Sequence, residues 1–420
     1  MFIYTFYVNL EDGIKATGSP PFTGNKIMMN EYPARTEDQA TLENWRSGPF
    51  NKWAFQHVRE VVASADIANA PDQVQVLEKS DRNLQGLAIP ANDRNIDLNS
   101  FLEQTSSDGF VVLHKGCIVT EQYANGMTAT TPHILMSVSK SMLGLLAGIL
   151  VEQRRLKTEA LVSEYLPELG NTAYKDATVR NLLDMRAGIE FNEDYLLTSG
   201  LLIEYRKATG WNPLGPGETA SDLRTFFEEL THSDGPHNGR FHYVSPNTDL
   251  MAWIIERATG QRYADLMSEL LWQPMGAERS AYITVDRLGA ARAAGGMCVT
   301  TRDLARVGQL MVNDGRRGDN QIVPTAWIDD IQNGGDAEAW QVGDFVEHFP
   351  GLPFRYRSKW YVLELGAPIL MCLGIHGQYL FVDRANDIVI AKHSSCAIPL
   401  EDEDANLNIR AAIAIRDYLV

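Results

Sequence analysis

Apolar and polar positions divide the chain into two strand-rich ends and a helical middle. From Gly109 the run Phe110-Val111-Val112-Leu113, the polar break His114-Lys115-Gly116 and Cys117-Ile118-Val119-Thr120-Glu121-Gln122-Tyr123 predict a β-hairpin. A comparable pattern returns late, with strands expected over 369–374, 378–382 and 388–392 and a turn at Arg384-Ala385-Asn386-Asp387. Ile409, Ala412, Ile413 and Arg416 then fall at helical spacing within 404–420. Between these ends, Thr178 is placed to cap a helix over 179–185, and Asn247 to cap one reaching Ala258 and closed by Gly260. A further helix over 263–272 stops before Pro274, and another runs from Thr301 to Gly315. Residues 142–151 are apolar on every side, which predicts a helix buried all round.

Strands at both ends with helices between predict an α+β fold, an antiparallel sheet flanked by helices with an all-helical insertion. The expected α+β domain is discontinuous, 41–145 plus 290–420, and the mainly helical domain is 146–289, with the active site in the cleft between them. Residues 1–40, with Gly18, Pro20, Pro21, Gly24 and Pro33, read as an irregular arm, and Met28 or Met29 offers a later start.

Composition narrows the classes. With 420 residues, 45% hydrophobic and 22% charged, this is an ordinary globular chain of two or three domains. A formal net charge of −17 repels phosphate backbones, which argues against nucleic acid as a partner. The apolar run over 142–151 is half the length a membrane span needs. Cys117, Cys298, Cys372 and Cys396 are scattered without Cys-x-x-Cys spacing and read as reduced thiols, so the expected location is cytoplasmic.

The chemistry is expected just before the buried helix, in Leu135-Met136-Ser137-Val138-Ser139-Lys140. Ser137 and Lys140, at i and i+3, share a helix face. A serine hydroxyl needs a neighbouring base, and lysine serves only when desolvation lowers its pKa. The N-terminus of a buried helix offers that desolvation, together with backbone N–H groups for a developing oxyanion. Ser-x-x-Lys alone is a weak pattern, with roughly one chance hit in a chain of this length; the bland alternative makes Ser137 a cap and Lys140 a solvated charge. Tyr243, in Phe241-His242-Tyr243-Val244-Ser245-Pro246-Asn247, is the best third group, although an aromatic before a helix is commonly a hydrophobic staple. Gly374 in Cys372-Leu373-Gly374-Ile375-His376-Gly377-Gln378 would let a ligand approach the backbone, or simply bend the strand.

Ser137-x-x-Lys140, Tyr243-x-Ser245 and a glycine-bearing strand near the C-terminus, in that order, resemble the penicillin-recognising serine hydrolases. That group includes class C β-lactamases, related esterases and 6-aminohexanoate-dimer hydrolases. Trp53-Ala54-Phe55, Asn192-Glu193-Asp194-Tyr195 and Asp303-Leu304-Ala305-Arg306-Val307-Gly308 look like the dimer-hydrolase type, so the resemblance runs from about residue 40 to the end. It implies a class C β-lactamase-like fold and hydrolysis of a small amide or ester without a cofactor. Ser137 would be the nucleophile, Lys140 and Tyr243 would share the base and acid roles, and the N–H groups of Ser137 and Ile375 would form the oxyanion hole. Tyr195 would close over substrate, and Trp360 or Tyr361 would line the acyl pocket. Two positions depart from the pattern. Cys372-Leu373-Gly374 stands where a β-lactamase carries Lys-Thr-Gly, which speaks against efficient β-lactam hydrolysis; a shifted frame would put His376 in the lysine's place. Arg206, with Glu204 nearby, falls where dimer hydrolases can hold an acidic residue for the substrate's ammonium.

Other readings rank lower. His232, His237 and His242 recur around Asp234, but no two share a helical face and Gly235, Pro236 and Gly239 make the segment a loop, so no metal is expected. Neither a Gly-x-Ser-x-Gly elbow nor a glycine-rich phosphate loop stands out. The expected partner is thus a small-molecule substrate, with neither nucleic acid nor membrane and with a homodimer left open. The runner-up functions are a carboxylesterase without amide activity and, in another class, a non-catalytic binding protein on the same scaffold.

Overall fold

The computed structural model describes residues 28–420, so most of the arm expected over 1–40 lies outside the described residues. Along the chain, β1 (Ser64–Ile67) precedes the hairpin β2 (Ser107–His114) and β3 (Cys117–Tyr123). Then come β4 (His133–Ile134), α1 (Val138–Glu152), α2 (Leu201–Ala208) and α3 (Pro246–Thr259). β5 (Ala281–Thr284), β6 (Met297–Val299) and α4 (Thr301–Val312) follow. A meander of β7 (Phe354–Arg357), β8 (Trp360–Leu363), β9 (Ile369–Gly374), β10 (Gln378–Asp383) and β11 (Ile388–Ser394) leads to α5 (Asp402–Leu419).

Seven strands form one antiparallel sheet in the order β7-β8-β9-β10-β11-β2-β3, so the two strand-rich ends of the chain meet where β11 pairs with β2. Side chains alternate across it with the period of two that strands impose. Val111, Leu113, Leu380, Val382 and Val389 point into a core shared with α1 and α4. Phe110, Val112, Phe381, Ile388 and Ile390 point the other way, onto Ile409, Ala412 and Ile415 of α5. A second sheet, β1-β5-β6-β4, holds the approach to α1 through the pairing of His133 with Val299 and Ile134 with Cys298.

α1 is buried on all sides from Val138 to Leu150, as its uninterrupted apolar run predicts. Burial of Leu143, Leu145, Leu146 and Leu150 stabilises by about 1.5–3 kcal/mol per side chain, so α1 is a rigid base for the residues at its start. Gly144 admits a close neighbour: a Cβ there would lie 2.1 Å from the Ser358 carbonyl oxygen.

Two expected caps differ in outcome. Thr178 does accept from the Asn181 N–H. Asn247 is not a cap: Ser245 takes that position, Pro246 begins α3, and the Asn247 side chain accepts 3.0 Å from the buried Tyr174 hydroxyl. The proline, free of an N–H to satisfy, suits the first helical position. Among the described residues no helix is long and apolar enough to cross a membrane.

Candidate active site

Ser137 sits at the end of α1 nearest β4, immediately after a strained residue. Met136 has φ 46°, a left-handed conformation costly for a non-glycine residue. Its side chain is buried with Trp45, Phe55 and Trp211, and this packing holds the turn. Leu135 N–H reaches the Met297 carbonyl at 2.8 Å, and Met297 N–H reaches Ser139 Oγ at 3.1 Å. The turn is thereby pinned to β6 on both sides of Ser137.

Lys140 projects back over the same turn. Its Nζ lies 2.8 Å from Ser137 Oγ and 2.7 Å from the Ala294 carbonyl oxygen. Burial, followed by Arg292, pushes this amine down to about 7, against an opposing pull from Glu193 and Asp249. At neutral pH a large share of the amine is therefore unprotonated. It can then spend one N–H on Ala294 O and offer its lone pair to the Ser137 hydroxyl. Asp249 fixes that acceptor in place by receiving the Ala294 N–H at 2.7 Å.

Tyr243 enters from the far side. Its N–H donates 2.8 Å to Asp344, and its ring stacks on Phe345 at 4.7 Å. Its side chain lines the small cavity that Ser137 and Tyr361 also line, and Lys140 Nζ lies 4.9 Å from the ring centroid. Burial, reinforced by Glu193, raises the phenol well above its ordinary value. Tyr243 is thus a protonated hydroxyl throughout the usual pH range and not a standing phenolate.

Two small cavities meet at Ser137. One, of about 40 Å³, is walled by Tyr243, Phe345, Tyr361, Leu373 and Tyr379. The other, of about 30 Å³, is walled by Arg46, Glu193, Arg206, Trp211 and Arg292. Ser137, Tyr195 and Ile375 line both. A wider opening of about 600 Å³ shares Tyr195, Tyr243, Phe345 and His348 with the first. Gly374 keeps the space between β9 and the serine open, since a Cβ there would lie 2.7 Å from Leu135 O and 3.1 Å from Ser137 N. Gly374→Ala is accordingly expected to lower kcat roughly 100-fold, the scale of one lost oxyanion donor. Ester turnover measured beside the unfolding midpoint separates this local effect from misfolding.

Two expected substrate contacts are placed otherwise. Trp360 does not line the pocket: the alternation along β8 turns it into the buried core, and of the two Tyr361 faces the cavity. His376 is turned inward, its Nδ1 2.7 Å from Cys396 O and its ring 5.2 Å from Phe55. Burial pushes it down to about 4, so it is a neutral ring that cannot replace a lysine cation. Cys372, in the lysine register, is fully buried on the core side beside Ser141. Glu204 lies on the surface, 3.1 Å from Lys207. Arg206 does reach the serine's surroundings. Of the spaced histidines, His242 bonds Asp344 and Ile189 O, and His237 accepts from Gly188 N–H.

Sequence reasoning gave no role to Arg46, Arg292, Asp249 or Glu193. Glu193 is the hub of this wall, accepting from the Ser245 N–H, the Ser245 hydroxyl and the Tyr195 hydroxyl. Arg292 pairs with Asp249 and with the Tyr205 hydroxyl. Only Glu193 had a visible signal, its place beside Tyr195.

The family model described as Beta-lactamase matches residues 98–414. The chain belongs to the β-lactamase family. Within that family it is 36% identical over 368 residues to a 6-aminohexanoate-dimer hydrolase of Paenarthrobacter ureafaciens, covering 88% of this chain and 91% of the relative. A solved Bacillus anthracis structure, assigned by name to the 6-aminohexanoate-dimer hydrolases, aligns with TM-score 0.83 at 28% identity, covering 91% of this chain and 98% of that one. A D-stereospecific amidohydrolase from Streptomyces sp. shares the fold, with TM-score 0.55 at 15% identity over 74% of this chain and 98% of its own. The α+β architecture expected from the strand and helix pattern is thus that of β-lactamase-family serine hydrolases, the enzyme class to which this chain belongs.

Proposed function

We propose that the chain hydrolyses a small linear amide or ester through an acyl-enzyme on Ser137, most like a 6-aminohexanoate-dimer hydrolase. The observation that carries this reading is the 2.8 Å contact between Ser137 Oγ and a lysine whose burial leaves it largely unprotonated near pH 7. In the first half-reaction Lys140 takes the hydroxyl proton as the oxygen attacks the acyl carbon. The tetrahedral oxyanion is received by the N–H groups of Ser137 and Ile375. Tyr243, protonated and lining the same cavity as Ser137, passes a proton to the departing amine or alcohol, and Lys140 replenishes it. Water then repeats the sequence on the ester and releases the acid. Tyr195 and Tyr361 line the substrate's path. The kinship with a 6-aminohexanoate-dimer hydrolase supports a linear amide as the substrate class. A cytoplasmic setting belongs to the same proposal, and four unbridged cysteines suit a reducing compartment.

The deciding experiment pairs a p-nitrophenyl short-chain ester with the linear 6-aminohexanoate dimer, each with wild type and with Ser137→Ala. Ser137-dependent cleavage of both supports the amide-hydrolase reading. Cleavage of the ester alone makes the chain a carboxylesterase on this scaffold, with Arg206 the first suspect. Binding without turnover of either overturns the reading in favour of a silent binding protein.

A further inference from the structure

The wall opposite the apolar cavity carries more positive charge than its own carboxylates compensate. Arg46, Arg206 and Arg292 line one cavity with Ser137. Arg292 is accounted for by Asp249 and the Tyr205 hydroxyl. Glu193, the remaining acid of the cavity, accepts from the Ser245 N–H, the Ser245 hydroxyl and the Tyr195 hydroxyl, so three guanidinium groups stand against the two carboxylates Asp249 and Glu193. Among the described residues neither Arg46 nor Arg206 lies within ion-pair distance of any carboxylate. Both hold neutral acceptors instead, Arg46 the Asn212 side-chain oxygen and Arg206 the Tyr195 carbonyl at 3.2 Å. The Arg46 Nε is buried with no partner at all. Its guanidinium carbon lies 5.6 and 5.8 Å from the ring centroids of Trp45 and Trp211, so aromatic rings fix its plane.

Partly buried guanidinium groups in excess of their counter-charges are costly, and the cost is relieved when an anion enters. Burial and neighbouring guanidinium groups hold both Arg46 and Arg206 below their ordinary pKa, against an opposing pull on Arg206 from Tyr195, Glu193 and Asp194. This concentration runs against the chain as a whole, whose formal net charge is −17. Planar, forked donors match a carboxylate in two-point contact. The cavity's 30 Å³ holds its two oxygens, on the scale of about 10–15 Å³ per water-sized group.

We propose that this cavity is an anion subsite: Arg206 and Arg46 bind a carboxylate carried by the substrate and select against an ammonium in the same place. The inference rests on the hydrolase reading and specifies its substrate class, a linear amide or ester bearing a carboxylate on its acyl or its leaving part. It reverses the preference expected where an acidic residue occupies the Arg206 position.

Matched linear anilides and amides test it. N-hexanoyl-6-aminohexanoate carries the carboxylate on the leaving amine, and the mono-anilide of adipic acid carries it on the acyl part. Hexanoyl anilide is the neutral isostere of the second and N-hexylhexanamide that of the first, and 6-aminohexanoyl anilide bears the ammonium. One of the two carboxylate probes is expected to exceed its own neutral isostere at least tenfold in kcat/KM, which also identifies the part that enters the subsite. The ammonium probe should fall below hexanoyl anilide. Arg206→Asp should invert the carboxylate-to-ammonium ratio, mainly through KM. Equal rates for carboxylate and neutral probes, with Ser137-dependent turnover intact, overturn the subsite and leave the hydrolase reading standing. If wild type turns over no probe, the hydrolase reading fails and calorimetry decides the subsite alone. Adipate binding weakened at least tenfold in folded Arg206→Asp, or in Arg46→Gln should Arg206→Asp not fold, supports the subsite. Equal or undetectable binding by wild type and variant overturns it.

Discussion

Ser137→Ala is expected to lower kcat by on the order of 10⁵-fold or more, the scale on which removing a serine nucleophile acts. The unfolding midpoint should barely move. The Ser137 side chain bonds Lys140, whereas the backbone around it is held by Met136 packing, by the contacts to β6 and by the burial of α1. Removing one oxygen therefore creates little void. It does strand the Lys140 amine, which keeps its bond to Ala294 O. The measurement is ester turnover with substrate at saturation, with urea unfolding of the same preparation. Turnover within tenfold of wild type would show that another group makes the acyl bond.

The second large effect is on Lys140 and carries a pH signature. Only the unprotonated amine can accept the Ser137 proton, and Lys140 is pushed down to about 7 by burial. For wild type, kcat/KM should therefore rise as pH increases through about 7 and level off above it. Lys140→Met keeps the volume and apolar character that its surroundings accommodate. It should lose roughly 10²- to 10⁴-fold in rate, the usual share of a general base, and lose the limb near pH 7 with it. Tyr243, held well above its ordinary value, contributes no limb in that range. A limb near 7 that survives in Lys140→Met would assign the titration elsewhere, with His242 beside Asp344 the group to test next.

Local signals reached far in this chain because they coincide with rigid elements. The i, i+3 spacing of Ser137 and Lys140 is a helix property, and the apolar run behind them says that the helix is buried. Desolvation of Lys140 follows from those two facts together. The hairpin β2–β3, the meander β9–β11 and α5 were legible for a similar reason, since alternation and helical spacing each record which face meets the core. Trp360 and Tyr361 show where this stops. Either of two adjacent aromatics on a strand fits the same sequence pattern, and only the register with β9 decides which one meets Ser137. His376 was equally open, and a hydrogen bond to Cys396 O together with the Phe55 ring turned it inward.

By itself, then, the order of residues determined the α+β architecture, the buried helix and the serine and lysine at its mouth. Each of these is set by interactions a few residues apart or by burial that the apolar pattern encodes directly, whereas Tyr243 is brought there by Asp344 and Phe345, remote in the chain. The charge of the second cavity was decided only in three dimensions. Arg46, Glu193, Arg206 and Arg292 come from separate segments, and three guanidinium groups face the two carboxylates Glu193 and Asp249 only because folding brings them to one wall. Electrostatic balance depends on distance and burial between side chains remote in the chain, and neither quantity is written in their spacing.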